Sequence, residues 1–177
     1  MPLVDIVLPE NATDKTAAIY ADIQSLLGRI PNALQMWSAS PVMLEMVWAE
    51  ISYFMRHPRL SPQLLATIRM LVSQENQCAY CIGFNAGLLI SVFGLTPEQV
   101  TLTKKAPSQA PLEEKEKALL LFVLKSVKTP LQVKADDIQP LKALGWEEVD
   151  IFEAVTHGAR NVSVDIIFNT FKLENDF

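Results

Sequence analysis

The chain has 177 residues, half of them hydrophobic and a fifth charged, with a formal net charge of -5. That length can bury a core without disulfide or metal staples, and the acidic balance argues against nucleic acid, whose phosphates favour a basic partner. No run of apolar residues approaches the roughly 20 that span a bilayer, and the N-terminal segment lacks a basic leader, so a cytoplasmic protein with no membrane partner is expected.

Residues 1–13 carry two prolines and no helical period, which predicts an extended arm ahead of a single domain over 14–177. Thr13 or Asp14 starts a helix that Gly28 stops. A connector through Pro31 leads to a short helix near 33–38. Ser40-Pro41 and Ser61-Pro62 each pair a capping serine with proline at the first helical position, so helices are predicted from about 41 to 57 and 62 to 74. A cysteine-bearing helix follows to about 93, and Thr96-Pro97-Glu98 opens a shorter one. Residues 104–111 read as a proline-containing loop. Helices are predicted over 113–127 and 135–144, and one or two more between 146 and 171. The β-branched residues sit inside helical patterns, so the fold class is all-α. A mean hydropathy of +0.20 is apolar for such a chain, which predicts a homo-oligomer with part of that surface covered by another subunit.

The two cysteines form one motif, Cys78-Ala79-Tyr80-Cys81. Three residues are nearly one helical turn, so both sulfurs can share a face. With Asn76 as the expected N-cap, Cys78 would lie among the unpaired amides of the first turn, where the helix dipole favours a thiolate. The pair reads as a thiol–disulfide redox centre; inert core thiols and metal ligands are the competing readings. A structural zinc site needs four ligands, and the chain's other classic donors, His57 and His157, are isolated in sequence, so no metal and no cofactor are expected. A thioredoxin-like site is excluded because no βαβ pattern surrounds the motif.

The segment from Leu60-Ser61-Pro62 through Ser73-Gln74-Glu75-Asn76-Gln77 into Cys78-Ala79-Tyr80-Cys81 resembles the alkylhydroperoxidase-D-like branch of the carboxymuconolactone decarboxylase family. Gly28-Arg29-Ile30-Pro31-Asn32, Ser40-Pro41 and the 141–171 stretch are similar to that branch's peroxidase-related members. The resemblance implies an alkylhydroperoxidase-D-like helical bundle assembled as trimers or hexamers. It also implies a hydroperoxide substrate, a thiol reductant, Cys81 as the attacking sulfur and Cys78 as the resolving one. In that branch a glutamate on the preceding helix and a histidine four residues after the second cysteine relay protons. Here those positions hold Ala66 and Asn85. Asparagine can donate a hydrogen bond but cannot act as a general base, and alanine can do neither.

Replacement groups are therefore sought among Glu75, Tyr80, Asn85, Glu50, His57 and His157. The expected activity is a thiol-dependent hydroperoxide reductase or disulfide oxidoreductase. The alternatives are a non-peroxidatic redox-sensing or partner-binding oligomer, and a carboxymuconolactone decarboxylase-like enzyme on the same scaffold.

Overall fold

The computed structural model describes residues 2–177 and is all-α. The helices are α1 (Asp14–Leu27), α2 (Asn32–Trp37), α3 (Pro41–Met55), α4 (Pro62–Glu75), α5 (Ala79–Ser91), α6 (Pro97–Lys105), α7 (Glu114–Lys128), α8 (Ala135–Ala143) and α9 (Glu148–Thr170). No helix among the described residues is long and apolar enough to cross a membrane.

The start signals act as their chemistry predicts. The Ser40 and Ser61 hydroxyls accept from the amides of Met43 and Leu64, at 3.4 and 3.1 Å. Thr96 and Gln99 form a reciprocal capping box at the head of α6. Two expectations need correction. The N-terminal arm contains a 3-10 turn, Pro9–Asn11, and the 104–111 loop contains the end of α6 and another at Pro107–Gln109; proline's fixed φ suits such turns. The 146–171 stretch, expected to hold one or two helices, holds one, α9.

The described chain divides into two compact units. The first comprises residues 2–57 with 167–177. Its core gathers Tyr20, Ile23, Leu34, Leu44 and Trp48. The arm is held by polar bonds: Tyr20 donates its hydroxyl to the Val7 carbonyl at 2.8 Å, and the Val7 amide donates to Ser38 Oγ at 2.7 Å. The C-terminal tail is fixed where Arg29 and the Asn32 amide meet Asp176, both at 2.8 Å.

The second unit, Pro58–Ile166, is built around α4. Residues 64–68 and 70–73 of this helix are buried, so it is enclosed nearly all round, its buried polar side chains Thr67 and Ser73 each hydrogen-bonded. Leu64, Ile68 and Met70 are fully enclosed, each contributing about 1.5–3 kcal/mol by burial. Helices α5 and α7 pack along α4. On α9, residues 151, 154, 158, 161 and 165 are buried, a seam with alternating three- and four-residue spacing. Gly158 allows close approach: a Cβ there would lie 2.7 Å from Val123 Cγ1 and 3.2 Å from Val127 Cγ2.

Candidate active site

The turn between α4 and α5 sets the position of the cysteines. Asn76 ends α4 instead of starting α5, which corrects the capping expectation. Gln77 then adopts φ +53°, a left-handed conformation rare for a side-chain-bearing residue, and reverses the chain. The Cys78 amide donates back to the Ser73 carbonyl at 3.1 Å. Helix α5 therefore begins two residues later than the sequence suggests, and Cys78 itself is its N-cap.

Both thiols are free. Cys78 is 1% exposed and Cys81 5%. A third chemical group joins them: Asp165 of α9, wholly buried. Its carboxylate and the two sulfurs lie within 4.8 Å of one another. Asp165 Oδ1 accepts from the Ser73 hydroxyl at 2.8 Å, and Oδ2 accepts from Asn76 Nδ2 at 3.0 Å and Asn161 Nδ2 at 3.2 Å. A buried charge persists only when its oxygens are satisfied in this way.

A cation is also linked to the motif. Arg69 donates from Nε to Asn85 Oδ1 at 2.8 Å, and Asn85 Nδ2 donates to the Cys81 carbonyl at 2.8 Å. Arg69 Nη1 lies 3.2 Å from His157 Nε2. Arginine has no acceptor, so Nε2 must accept and His157 carries its proton on Nδ1. Together α4 and α9 run side by side in parallel and meet in three polar rungs: Arg69 with His157, Ser73 with Asn161, and Asn76 with Asp165.

The electrostatics separate the two sulfurs. A hydrogen bond from the Cys81 side chain holds the Cys78 thiol below its ordinary pKa, against burial and the Asp165 charge. Donating that bond, being buried and facing the negative charge of Cys78 all push Cys81 up. The more acidic thiol is thus the capping one, in line with the dipole argument. Burial pulls the Arg69 guanidinium down to about 10, and the charge of Cys81 opposes that shift; it stays protonated at neutral pH.

Of the sequence candidates, Asn85 and His157 join this network. Tyr80 is buried and stacks on Phe84, ring centroids 5.9 Å apart. Glu75 points to solvent and pairs with Lys128 at 2.7 Å. Glu50 and His57 belong to the first unit, where His57 stacks on Phe54 at 6.2 Å. Ala66 is fully buried. Sequence reasoning missed Asp165, Arg69, Ser73 and Asn161. The available signal was polar side chains at one-turn spacing, Arg69 and Ser73 on α4 and His157, Asn161 and Asp165 on α9, within otherwise apolar helical faces.

No protein-family profile matches the sequence, and no curated protein matches it. The backbone is similar to that of an uncharacterized peroxidase-related protein from Silicibacter sp. TM1040. The TM-score is 0.81 at 19% identity, covering 99% of this chain and 95% of that one. A second such protein, from Ralstonia eutropha JMP134 and described as an alkylhydroperoxidase AhpD core, gives 0.78 at 18% identity, with 98% and 94% covered. This chain has the AhpD-like fold. The debrominase Bmp8 is also similar, with a TM-score of 0.77 at 16% identity, covering 98% of this chain and 92% of that one. One AhpD-like backbone thus appears in proteins named for different chemistries, and the activity must be argued from the side chains in place.

Proposed function

We propose that this protein is a thiol-dependent oxidoreductase that reduces hydroperoxides with the Cys78/Cys81 pair, using Asp165 as its proton acceptor. The observation that carries this reading is the buried Asp165 carboxylate within 4.8 Å of both sulfurs. It supplies the general base that Ala66 and Asn85 cannot.

In the reduced site the two thiols and the Asp165 carboxylate lie within 4.8 Å of one another. Cys81 holds its proton at rest and passes it to Asp165 as its sulfur attacks; the nearby Arg69 guanidinium stabilises the charge that develops on that sulfur. The Cys81 sulfur attacks the outer peroxide oxygen, and the O–O bond breaks. Asp165 returns the proton to the departing alkoxide, giving an alcohol and a sulfenic acid on Cys81. The Cys78 sulfur displaces the hydroxyl group, its own proton completing a water molecule. The sum is two thiols and one hydroperoxide going to one disulfide, one alcohol and one water. An external dithiol then restores the pair by exchange.

Intact-mass measurement after peroxide treatment tests this. The expected result is loss of two hydrogens with Cys78 and Cys81 linked. In Cys78→Ser, a sulfenic acid should be trapped on Cys81 by dimedone, and Cys81→Ser should yield no such adduct. Two thiols that remain free in millimolar peroxide would end this reading.

A second reading is favoured by the similarity to Bmp8, one of whose structures holds 2,3,4-tribromopyrrole. The same dithiol could reduce a carbon–bromine bond, giving a disulfide, the hydrogen-substituted ring and bromide with one proton. Bromide release from a brominated pyrrole, measured beside peroxide loss, discriminates the two.

A further inference from the structure

Cys78 Sγ, Cys81 Sγ and a carboxylate oxygen of Asp165 form a buried donor set of two soft ligands and one hard one. We propose that the reduced site binds a single zinc ion through these three residues, with water in the fourth position. The donor set itself does not depend on the redox reaction proposed above; only the regulatory consequence does.

Three observations support it. The first is spacing. Tetrahedral zinc with bonds of about 2.3 Å to sulfur holds its ligands roughly 3.5–3.8 Å apart. The three donor atoms already lie within 4.8 Å of one another, so closure asks each for a shift of about an ångström or less. The second is support around the ligand. Asp165 is fixed by Ser73, Asn76 and Asn161, and Oδ1 accepts from only one of these groups. Hydrogen-bonded carboxylates of this kind are how proteins aim a metal ligand. The third is charge. With both thiols protonated, the site holds Asp165 and Arg69 and is neutral. With zinc and two thiolates it holds two positive charges on the metal, one on Arg69 and three negative charges on the ligands, and is again neutral. A dication can therefore replace two protons without leaving uncompensated charge in the interior.

The consequence is mutual antagonism. Zinc draws electron density from both thiolates and lowers their nucleophilicity, so the loaded site reacts with peroxide more slowly than the free one. Oxidation to the disulfide removes both thiolate ligands and releases the metal. That release balances as two zinc-bound thiolates, one hydroperoxide and two protons going to one disulfide, free zinc, one alcohol and one water.

The test uses the full chain, reduced with a phosphine, and titrated with zinc in competition with a chromophoric chelator. One equivalent is expected to bind. Asp165→Asn should weaken binding by at least about tenfold, the loss typical of a disturbed metal shell, and Cys78→Ser or Cys81→Ser should weaken it further. Cobalt in place of zinc should give a sulfur-to-metal charge-transfer band that disappears in the disulfide form. The oxidised wild-type chain, which needs no substitution to fold, should take up no metal. Binding that survives disulfide formation, a cobalt spectrum without the sulfur band, or no uptake at micromolar metal would each overturn the proposal. Zinc uptake by a chain that does not consume peroxide would reject the redox reading alone; peroxide turnover without zinc uptake would reject this one alone.

Discussion

Asp165→Asn is the sharpest probe of the site, because it should move two thiol properties in opposite directions. The carboxylate charge raises the pKa of both cysteines. Removing it should make the pair more acidic and speed alkylation by iodoacetamide near neutral pH. Turnover should nonetheless fall, because an amide cannot take and return the Cys81 proton. Loss of a general base costs about 10²–10⁴ in rate, equivalent to about 2.7–5.5 kcal/mol of barrier. The substitution also converts three charge-assisted hydrogen bonds, from Ser73, Asn76 and Asn161, into neutral ones. Each should lose about 1 kcal/mol, partly offset because a charge no longer has to be buried, for a net destabilisation of about 1–3 kcal/mol. The assays are single-turnover disulfide formation with peroxide, alkylation rate against pH, and urea unfolding. Turnover within a few-fold of wild type would refute Asp165 as base. A parallel fall in alkylation and turnover would show that the substitution disturbed the thiols themselves.

Cys78 should alkylate with a midpoint below the ordinary thiol value of ~8.5, and Cys81→Ala should raise that midpoint, since the Cys81 side chain is the main cause of the depression. The pair's contribution to stability should rise with pH from the depressed Cys78 value to the ordinary one. Above that it should fall, because folded Cys81 retains a proton that the unfolded chain has lost; comparing urea midpoints of wild type and Cys78→Ala/Cys81→Ala across pH checks the sign. Gly158→Ala should cost about 1–3 kcal/mol in urea unfolding by overpacking against Val123, whereas a solvent-facing glycine-to-alanine change in a helix would stabilise. Gln77→Gly should stabilise by about 0.5–1 kcal/mol by relieving the left-handed backbone at φ +53°, with a raised melting temperature as the readout. Ala66→Glu should strongly destabilise, because position 66 is fully enclosed and an added carboxylate there meets no solvent.

Local chemistry made much of the fold legible. Ser40-Pro41, Ser61-Pro62 and Thr96-Pro97 open helices where their hydroxyls and fixed φ angles say they should, and apolar spacing gave the all-α class. The cysteine pair was equally readable from its three-residue separation. What failed was the turn. Asn76 has good N-cap chemistry, but the left-handed Gln77 moved the helix start, and nothing in a glutamine announces that conformation. The acid of the site was hidden for another reason. Asp165 is distant from Cys78 in sequence, and its partners Ser73 and Asn76 belong to a different helix, so only the packing of α9 on α4 joins them. A charged residue in a long helix ordinarily faces water, and the one-turn spacing of His157, Asn161 and Asp165 marks a polar stripe on α9 without showing what that stripe meets. His157 could be named in advance as a possible neighbour, but its role as acceptor from Arg69 depends on the same helix contact.

The alternating spacing along α9 makes that helix an angular ruler. Each residue turns the helix by about 100°, so Asp165 faces the sulfurs only while its phase relative to the packed positions 151, 154 and 158 is kept. Inserting or deleting one residue between Gly158 and Asp165 would leave the helix continuous and its composition nearly unchanged. It would also rotate the carboxylate away from the thiols. Length variation in this segment is therefore a distinct route to silencing the chemistry, one that leaves Cys78, Cys81 and their neighbours intact in sequence.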